Sequence, residues 1–338
     1  MRSISLPAQT MFSELSARCL DAEFDETFHE AGRFKRVTIK EREYWYYARD
    51  RDGERKTLYV GPVDDAELSD RVARFGRLRS DYQERRELVR ALLQLGLPRP
   101  DPMTGAVADA LARAGMFRLR GVLVGTAAYQ CYAGMLGIRL PGAGLMTQDL
   151  DAAQFHAVSV EVGDSMPPML ETLQAVNATF REMSSFADDG RVWRYSASNP
   201  KFDVEFLTPL RGGVEHGRKP LRMPALGGAS AQALRFLDFL LRDPVRSVLL
   251  HGGGVSVTVP APERYATHKL IVASRRTVNP DKARKDIAQA SALIEVLRSA
   301  RPVELREAVT ELIGRGPAWR KAFEAGKARL PPELASAL

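Results

Sequence analysis

The sequence predicts an α+β fold, and three observations carry that reading. Residues Phe117 to Gly125 form an apolar run that closes on Gly-Thr, the pattern of a strand turning tightly into a helix that begins near Ala127. Lys201 to Pro209 alternates cleanly, with Phe202, Val204 and Phe206 on one face and Asp203 and Glu205 on the other. From residue 263 onward the pattern is helical, with breaks near Asn279-Pro280, Pro302 and Pro331-Pro332.

Taken in order, the chain opens with short strands over Arg33 to Ile39, Glu43 to Arg49 and Lys56 to Val60, the last two joined by the turn Asp50-Arg51-Asp52-Gly53. Tyr44, Trp45, Tyr46, Tyr47 and Tyr59 stand there among Arg33, Lys35, Arg36 and further cations. Such a surface can stack bases and neutralise phosphates, or the aromatics can pack as cross-strand pairs of a hairpin. A long amphipathic helix follows from about Asp64 to Leu95, and Gly96-Leu97-Pro98-Arg99-Pro100-Asp101-Pro102 ends it sharply. That cluster divides an N-terminal region, 1–102, with an acceptor-binding role, from a central sheet-bearing region, 103–260. Helices fill a C-terminal region, 261–338. In the central region, His251-Gly252-Gly253-Gly254 reads as a hairpin turn between Val248-Leu249-Leu250 and a strand from Val255 to Val259. It lacks the Gly-Lys-Ser/Thr of a phosphate loop. The stretches Gly137 to Gly144 and Gly212 to Gly228 read as connections near the site, where Arg211, His216, Arg218, Lys219 and Arg222 could meet an acceptor.

Chemistry concentrates at Thr147-Gln148-Asp149-Leu150-Asp151. In a strand Asp149 and Asp151 share a face while Leu150 points to the core, and two like charges so close repel unless a cation sits between them. Oxygen-ligated hard ions such as Mg²⁺ share coordination with phosphates, so the pair reads first as a metal-nucleotide site. Gly125 allows close approach of a phosphate to the backbone, and Thr126 adds a hydroxyl donor at a helix N-terminus, where anions are attracted. Asp203 and Glu205 are the candidates for a third acid, and the sequence does not choose between them.

Gly-Thr, then Thr-x-Asp-Leu-Asp, then an acidic strand resembles the motif series of the DNA polymerase beta-like nucleotidyltransferases. Val257 to Leu270, Arg275-Arg276 and Lys282 to Ala290 are similar to a stand-alone bacterial branch related to the abortive-infection type. The resemblance covers about residues 117 to 298 and departs at Thr126, where the superfamily usually has Ser or Gly. It implies a small mixed sheet with helices packed on it and a Mg²⁺- or Mn²⁺-dependent enzyme of the nucleotidyltransferase class. Such an enzyme moves a nucleotidyl group from a nucleoside triphosphate to a hydroxyl on RNA, such as a tRNA end, or on protein. It implies that Asp149, Asp151 and Glu205, or Asp203, hold the metals. It implies further that Lys269 and Lys285 join Gly125 and Thr126 around the triphosphate, with Asp286 orienting the cations, and that the setting is a toxin–antitoxin or phage-defence system.

Lys282, Lys285 and Gln289 recur at spacings of three and four and so share one helix face. Composition adds exclusions. The 338 residues carry a net charge of +7, which suits a polyanionic partner. No apolar run approaches the ~18 residues that span a bilayer, and the N-terminus lacks a signal-peptide core, so a cytoplasmic protein without membrane contact is expected. Two isolated cysteines, Cys19 and Cys131, and five scattered histidines offer neither a disulfide framework nor a transition-metal motif. The alternative is a catalytically inactive nucleic-acid-binding or partner-binding protein on the same fold. A dinucleotide-binding reading fails for want of G-x-G-x-x-G.

Overall fold

The computed structural model describes all residues except 1–2, 23–31, 40, 52–53, 65, 144–146, 162–163, 184–187, 211–218 and 277. The N-terminal region contains helix α1 (Leu6–Ala22), an antiparallel meander of β1 (Gly32–Ile39), β2 (Arg42–Arg51) and β3 (Glu54–Pro62), and the long helix α2 (Ala66–Gln94). The expected meander and helix are therefore present, and the tip of the expected turn, Asp52-Gly53, lies outside the described residues. Arg36 lies over the Trp45 ring at 4.9 Å, on the cross-strand pair Arg36↔Trp45. The end of α2 buries Val89 and Leu92 against Phe12, Leu15 and Cys19 of α1, together with Val248 and Leu250. Gly96, at φ +90°, ends this helix where a side chain would meet Arg139.

Helix α3 (Pro102–Arg113) restarts the chain behind Asp101, whose carboxylate accepts from the N–H of Met103 at 2.9 Å, with proline at the first helical position. Then come β4 (Val122–Leu123), α4 (Gly125–Met135), β5 (Asp149–Ala153), α5 (His156–Glu161) and α6 (Met169–Gln174). The expected strand over Phe117 to Gly125 is thus shortened to two residues. Met116 to Gly121 is instead a turn closed by Gly121 N–H donating to the Met116 carbonyl at 2.8 Å, so its apolar side chains reach the core without a strand. Next are β6 (Arg181–Met183), β7 (Arg194–Ser198), β8 (Lys201–Pro209), β9 (Leu221–Arg222) and β10 (Ser230–Leu234).

These strands form a mixed sheet ordered β4-β5-β8-β10-β9, with β7 also on β8 and β6 on β7. β5 and β10 run parallel to β8, while β4 is antiparallel to β5 and β7 antiparallel to β8. Because β5 occupies one edge of β8, β7 and then β10 share the other. Helix α7 (Leu237–Leu240) and a separate antiparallel pair, β11 (Val245–Leu249) and β12 (Val255–Val259), lead into the helical C-terminal part. That part comprises α8 (Pro262–Arg275), α9 (Pro280–Ala300), α10 (Pro302–Gly314), α11 (Pro317–Lys327) and α12 (Pro332–Ala335).

One buried cluster unites Leu123, Leu150, Val204 and Phe206 of the sheet with Tyr265, Leu270, Leu293 and Phe323 of these helices. The C-terminal helices therefore share a core with the sheet. Gly326 fits against the Leu270 carbonyl, which a Cβ would approach to 2.2 Å, so α11 and α8 touch backbone to backbone. Cys131 is buried in α4. No helix among the described residues is long and apolar enough to cross a membrane.

Candidate active site

The parallel register of β5 and β8 pairs Asp149 with Asp203 and Asp151 with Glu205. Since in-register residues share a face and alternate along each strand, all four carboxylates project from one side of the sheet while Leu150 and Val204 are buried on the other. The next strand continues the row: Arg194 of β7 stands opposite Glu205 and Ser196 opposite Asp203. The Arg194 Nη2 donates to Asp203 Oδ2 at 2.6 Å, and its Nε lies 3.7 Å from Glu205 Oε1. The two candidate third acids thus differ in environment. Asp203 accepts a hydrogen bond from the guanidinium, whereas Glu205 lies farther from it, at 3.7 Å, without a hydrogen bond.

Electrostatics show how tightly the acids interact. Enclosure by protein, followed by the charges of Asp149 and Glu205, pushes the Asp151 carboxyl up to about 7, against the pull of Lys269 and Lys282. Burial also raises Glu205, opposed by Arg194 and reinforced by Asp149 and Asp203. Oxygen donors under mutual repulsion are the donor set a hard divalent cation takes, and Asp149, Asp151 and Glu205 fit one chemically. As the side chains stand, no group of three or more His, Cys, Asp or Glu among the described residues is gathered closely enough to form a ligand set. The convergence expected of the acids is therefore one of face and charge rather than of closed coordination.

The facing turn is built around Gly125, whose φ of +66° suits glycine. A Cβ there would sit 2.5 Å from Asp151 Oδ2, so the absence of a side chain is what brings the turn against the acid. The backbone is pinned to the same strand, because Val124 N–H donates to the Asp151 carbonyl at 2.9 Å. Helix α4 begins here without a side-chain cap, which leaves its first N–H groups available to an anion.

Helices α8 and α9 close over the turn. The Tyr265 hydroxyl donates to the Gly125 carbonyl at 2.9 Å and lies 3.1 Å from Gln289 Oε1. A phenol has one hydrogen, and Gln289 Nε2 has no partner; rotating the amide lets that Nε2 donate to the phenol oxygen. Lys285 donates to Thr126 Oγ1 at 3.0 Å, and burial, then Lys269, depress its ammonium below the ordinary lysine range. Lys269 donates to the buried Asp286 at 2.6 Å, and Arg276 donates to the other oxygen of the same carboxylate at 2.7 Å. Lys269 also lies 5.2 Å from the centre of the Tyr265 ring.

The fold thus brings Asp149, Asp151, Asp203, Glu205, Gly125, Thr126, Lys269 and Lys285 to one place. Of the loop cations, Arg211, His216 and Arg218 lie outside the described residues, while Lys219 pairs with Asp189 at 2.8 Å. Two participants escaped the sequence reading, Arg194 and the hydroxyl of Tyr265. The alternation of Trp193, Arg194, Tyr195 and Ser196 ahead of the Asn199-Pro200 turn is a hairpin signal that would have placed Arg194 beside Glu205.

An acid row on a mixed sheet is thus faced by a glycine turn at a helix N-terminus and by lysines from two helices. A nucleotidyltransferase family model matches residues 102–314, well over half the chain, and the chain belongs to that family. Family membership supports a nucleotidyl-transfer function and places the protein among transferases. The chain is also similar to a solved structure, an antigenic nucleotidyltransferase-like protein from Paracoccidioides brasiliensis. That likeness has 17% identity over 68% of this chain and 94% of the other, with a TM-score of 0.31. No curated protein matches the chain.

Proposed function

We propose that the protein transfers a nucleoside monophosphate from a Mg²⁺- or Mn²⁺-bound nucleoside triphosphate to a hydroxyl of an RNA end, a tRNA among the candidates, or of a protein. The observation that carries this reading is the contact of the Gly125 turn with Asp151, whose carboxyl is pushed up to about 7 by burial and then by the charges of Asp149 and Glu205. In this reading Asp149, Asp151 and Glu205 hold the metal. When bound, it would neutralise charge developing on the transferring phosphoryl group.

The protein's own part is positioning. The uncapped N–H groups of α4, the Thr126 hydroxyl and the Lys285 ammonium offer donors and positive charge to the triphosphate. Glu205, at the Arg194 edge of the row, stands where a carboxylate can accept a proton from an incoming hydroxyl. Asp203, already engaged by Arg194, is the weaker candidate for third acid. Lys269 acts through Asp286 and the Tyr265 ring, bracing α8 and α9 while adding positive charge near Asp151.

The basic, aromatic meander of β1–β3 supports an acceptor surface, with Arg36 stacked on Trp45. The same surface favours a second reading, an inactive nucleic-acid binder. Incubation of the protein with each α-³²P-labelled triphosphate, Mg²⁺ or Mn²⁺, and total bacterial RNA and protein separates the two. Transfer predicts a labelled RNA or protein band that vanishes in the Asp149→Asn/Asp151→Asn variant. Salt-sensitive RNA binding without labelling would favour the binder. Growth arrest on expression, relieved by the same variant, is expected if the setting is toxin–antitoxin or phage defence.

A further inference from the structure

We infer that Arg194 is a positioning residue that serves as the built-in counter-cation of the acid row and, with Asp203, sets how tightly that row binds a divalent metal. The inference rests on the proposed metal-dependent reading. The guanidinium reaches two of the four carboxylates from a third strand, donating to Asp203 at 2.6 Å and lying 3.7 Å from Glu205. The register makes this placement obligatory, since Arg194 is the cross-strand partner of Glu205 and lies diagonally to Asp203. Its Nε is buried without a hydrogen-bond acceptor, and Asp203 Oδ1 is buried without a donor. The pair is thus incompletely satisfied: one donor remains aimed toward Glu205 without bonding it, and that carboxylate is not consumed.

A +1 charge this close has two effects of opposite sign. In the metal-free protein it holds together acids that otherwise repel. Toward an arriving cation it is a competitor, because charges a few ångströms apart interact strongly in a partly enclosed site. Asp203 moderates the competition by drawing the guanidinium to itself and away from Glu205. The row therefore acts as four acids less one, with the Arg194–Asp203 pair neutral and Asp149, Asp151 and Glu205 left for the metal. The arrangement explains why two carboxylates alternate on β8 when one would complete a ligand set: the second anchors the arginine.

The test is Mn²⁺ affinity, measured by calorimetry and by the loss of the free Mn²⁺ paramagnetic resonance signal, on the full chain without nucleotide. Arg194→Gln is expected to tighten Mn²⁺ binding at least about fivefold, and Asp203→Asn, which releases the guanidinium onto Glu205, to weaken it by a similar factor. Arg194→Lys, which keeps the charge, is expected to stay near wild type. The double variant Arg194→Gln/Asp203→Asn, which restores the charge balance, should return to within about threefold of it. It also serves as the measurement if Arg194→Gln alone does not fold, since it removes the Asp203 carboxylate together with the guanidinium that donates to it. Affinity unchanged or weakened in Arg194→Gln, or a double variant as weak as Asp203→Asn, overturns the assignment while leaving the metal-dependent reading in place. Absence of Mn²⁺ binding by the wild-type protein removes that reading, and this inference falls with it.

Discussion

Replacing Asp151 with asparagine should stabilise the metal-free protein at alkaline pH while abolishing transfer. The Asp151 carboxyl rises from 3.8 to about 7 on folding, through enclosure and the charges of Asp149 and Glu205. Between those values the folded chain binds more protons than the unfolded one, so the contribution of this group to stability is complete below about 3.8. It is lost progressively as pH rises and is gone above about 7. Each tenfold change in proton affinity is worth about 1.4 kcal/mol, which bounds the loss at about 4 kcal/mol, and residual solvent contact reduces it. Asparagine carries no charge and escapes this penalty.

Between about pH 5.5 and pH 8 the advantage of Asp151→Asn over wild type should therefore grow by roughly 2 kcal/mol. For 338 residues the unfolding entropy is about 0.7 kcal/mol per kelvin, so the melting temperatures should diverge by about 3 °C over that range. Differential scanning calorimetry in EDTA at the two pH values measures it, and added Mg²⁺ should raise wild type more than the variant. A stability difference between the two proteins that does not change with pH would refute the reasoning, because Asp151 would then not be a carboxyl raised by burial and by its acidic neighbours.

Gly125→Ala should cost at least about 2 kcal/mol and eliminate transfer, since the new Cβ meets Asp151 Oδ2 at 2.5 Å from a left-handed backbone; urea denaturation and the labelling assay read the two effects. Tyr265→Phe removes the donor to the Gly125 carbonyl and should lower stability by about 1 kcal/mol and triphosphate affinity several-fold, as measured by fluorescence titration with a labelled nucleotide. Lys285→Ala should raise KM for the triphosphate more than it lowers stability. Lys269→Ala should do the reverse, losing about 1–3 kcal/mol because Asp286 keeps Arg276 alone; steady-state kinetics beside thermal melts distinguish them.

Local periodicity makes the acid face and the turn legible in the residues alone. The alternation of Phe202, Asp203, Val204 and Glu205, and of Asp149, Leu150 and Asp151, depends on the two-residue repeat of a strand, so the acid face was legible before any strand was paired. Glycine followed by threonine at the end of an apolar run located the turn, and prolines at 102, 262, 280, 302, 317 and 332 stand at the first helical positions. The choice between Asp203 and Glu205 was not legible. What distinguishes their surroundings is the residue of β7 that lies opposite each, which neither β5 nor β8 carries in its own pattern. Arg194 becomes a neighbour of the acids only once the hairpin signal around Asn199-Pro200 is used to pair β7 with β8.

The resemblance implies Lys269 at the triphosphate with Asp286 orienting the cations. The packing of α8 on α9 gives that pairing its form, Lys269 donating to Asp286, seventeen residues later, at 2.6 Å. The strand expected from Phe117 failed because hydrophobicity reports burial and not backbone conformation, and a turn can bury the same side chains. Local chemistry therefore marked the candidate groups. Tertiary structure decided which charges face one another, because Coulomb interactions depend on distances that strand pairing and helix packing create between residues far apart in the chain.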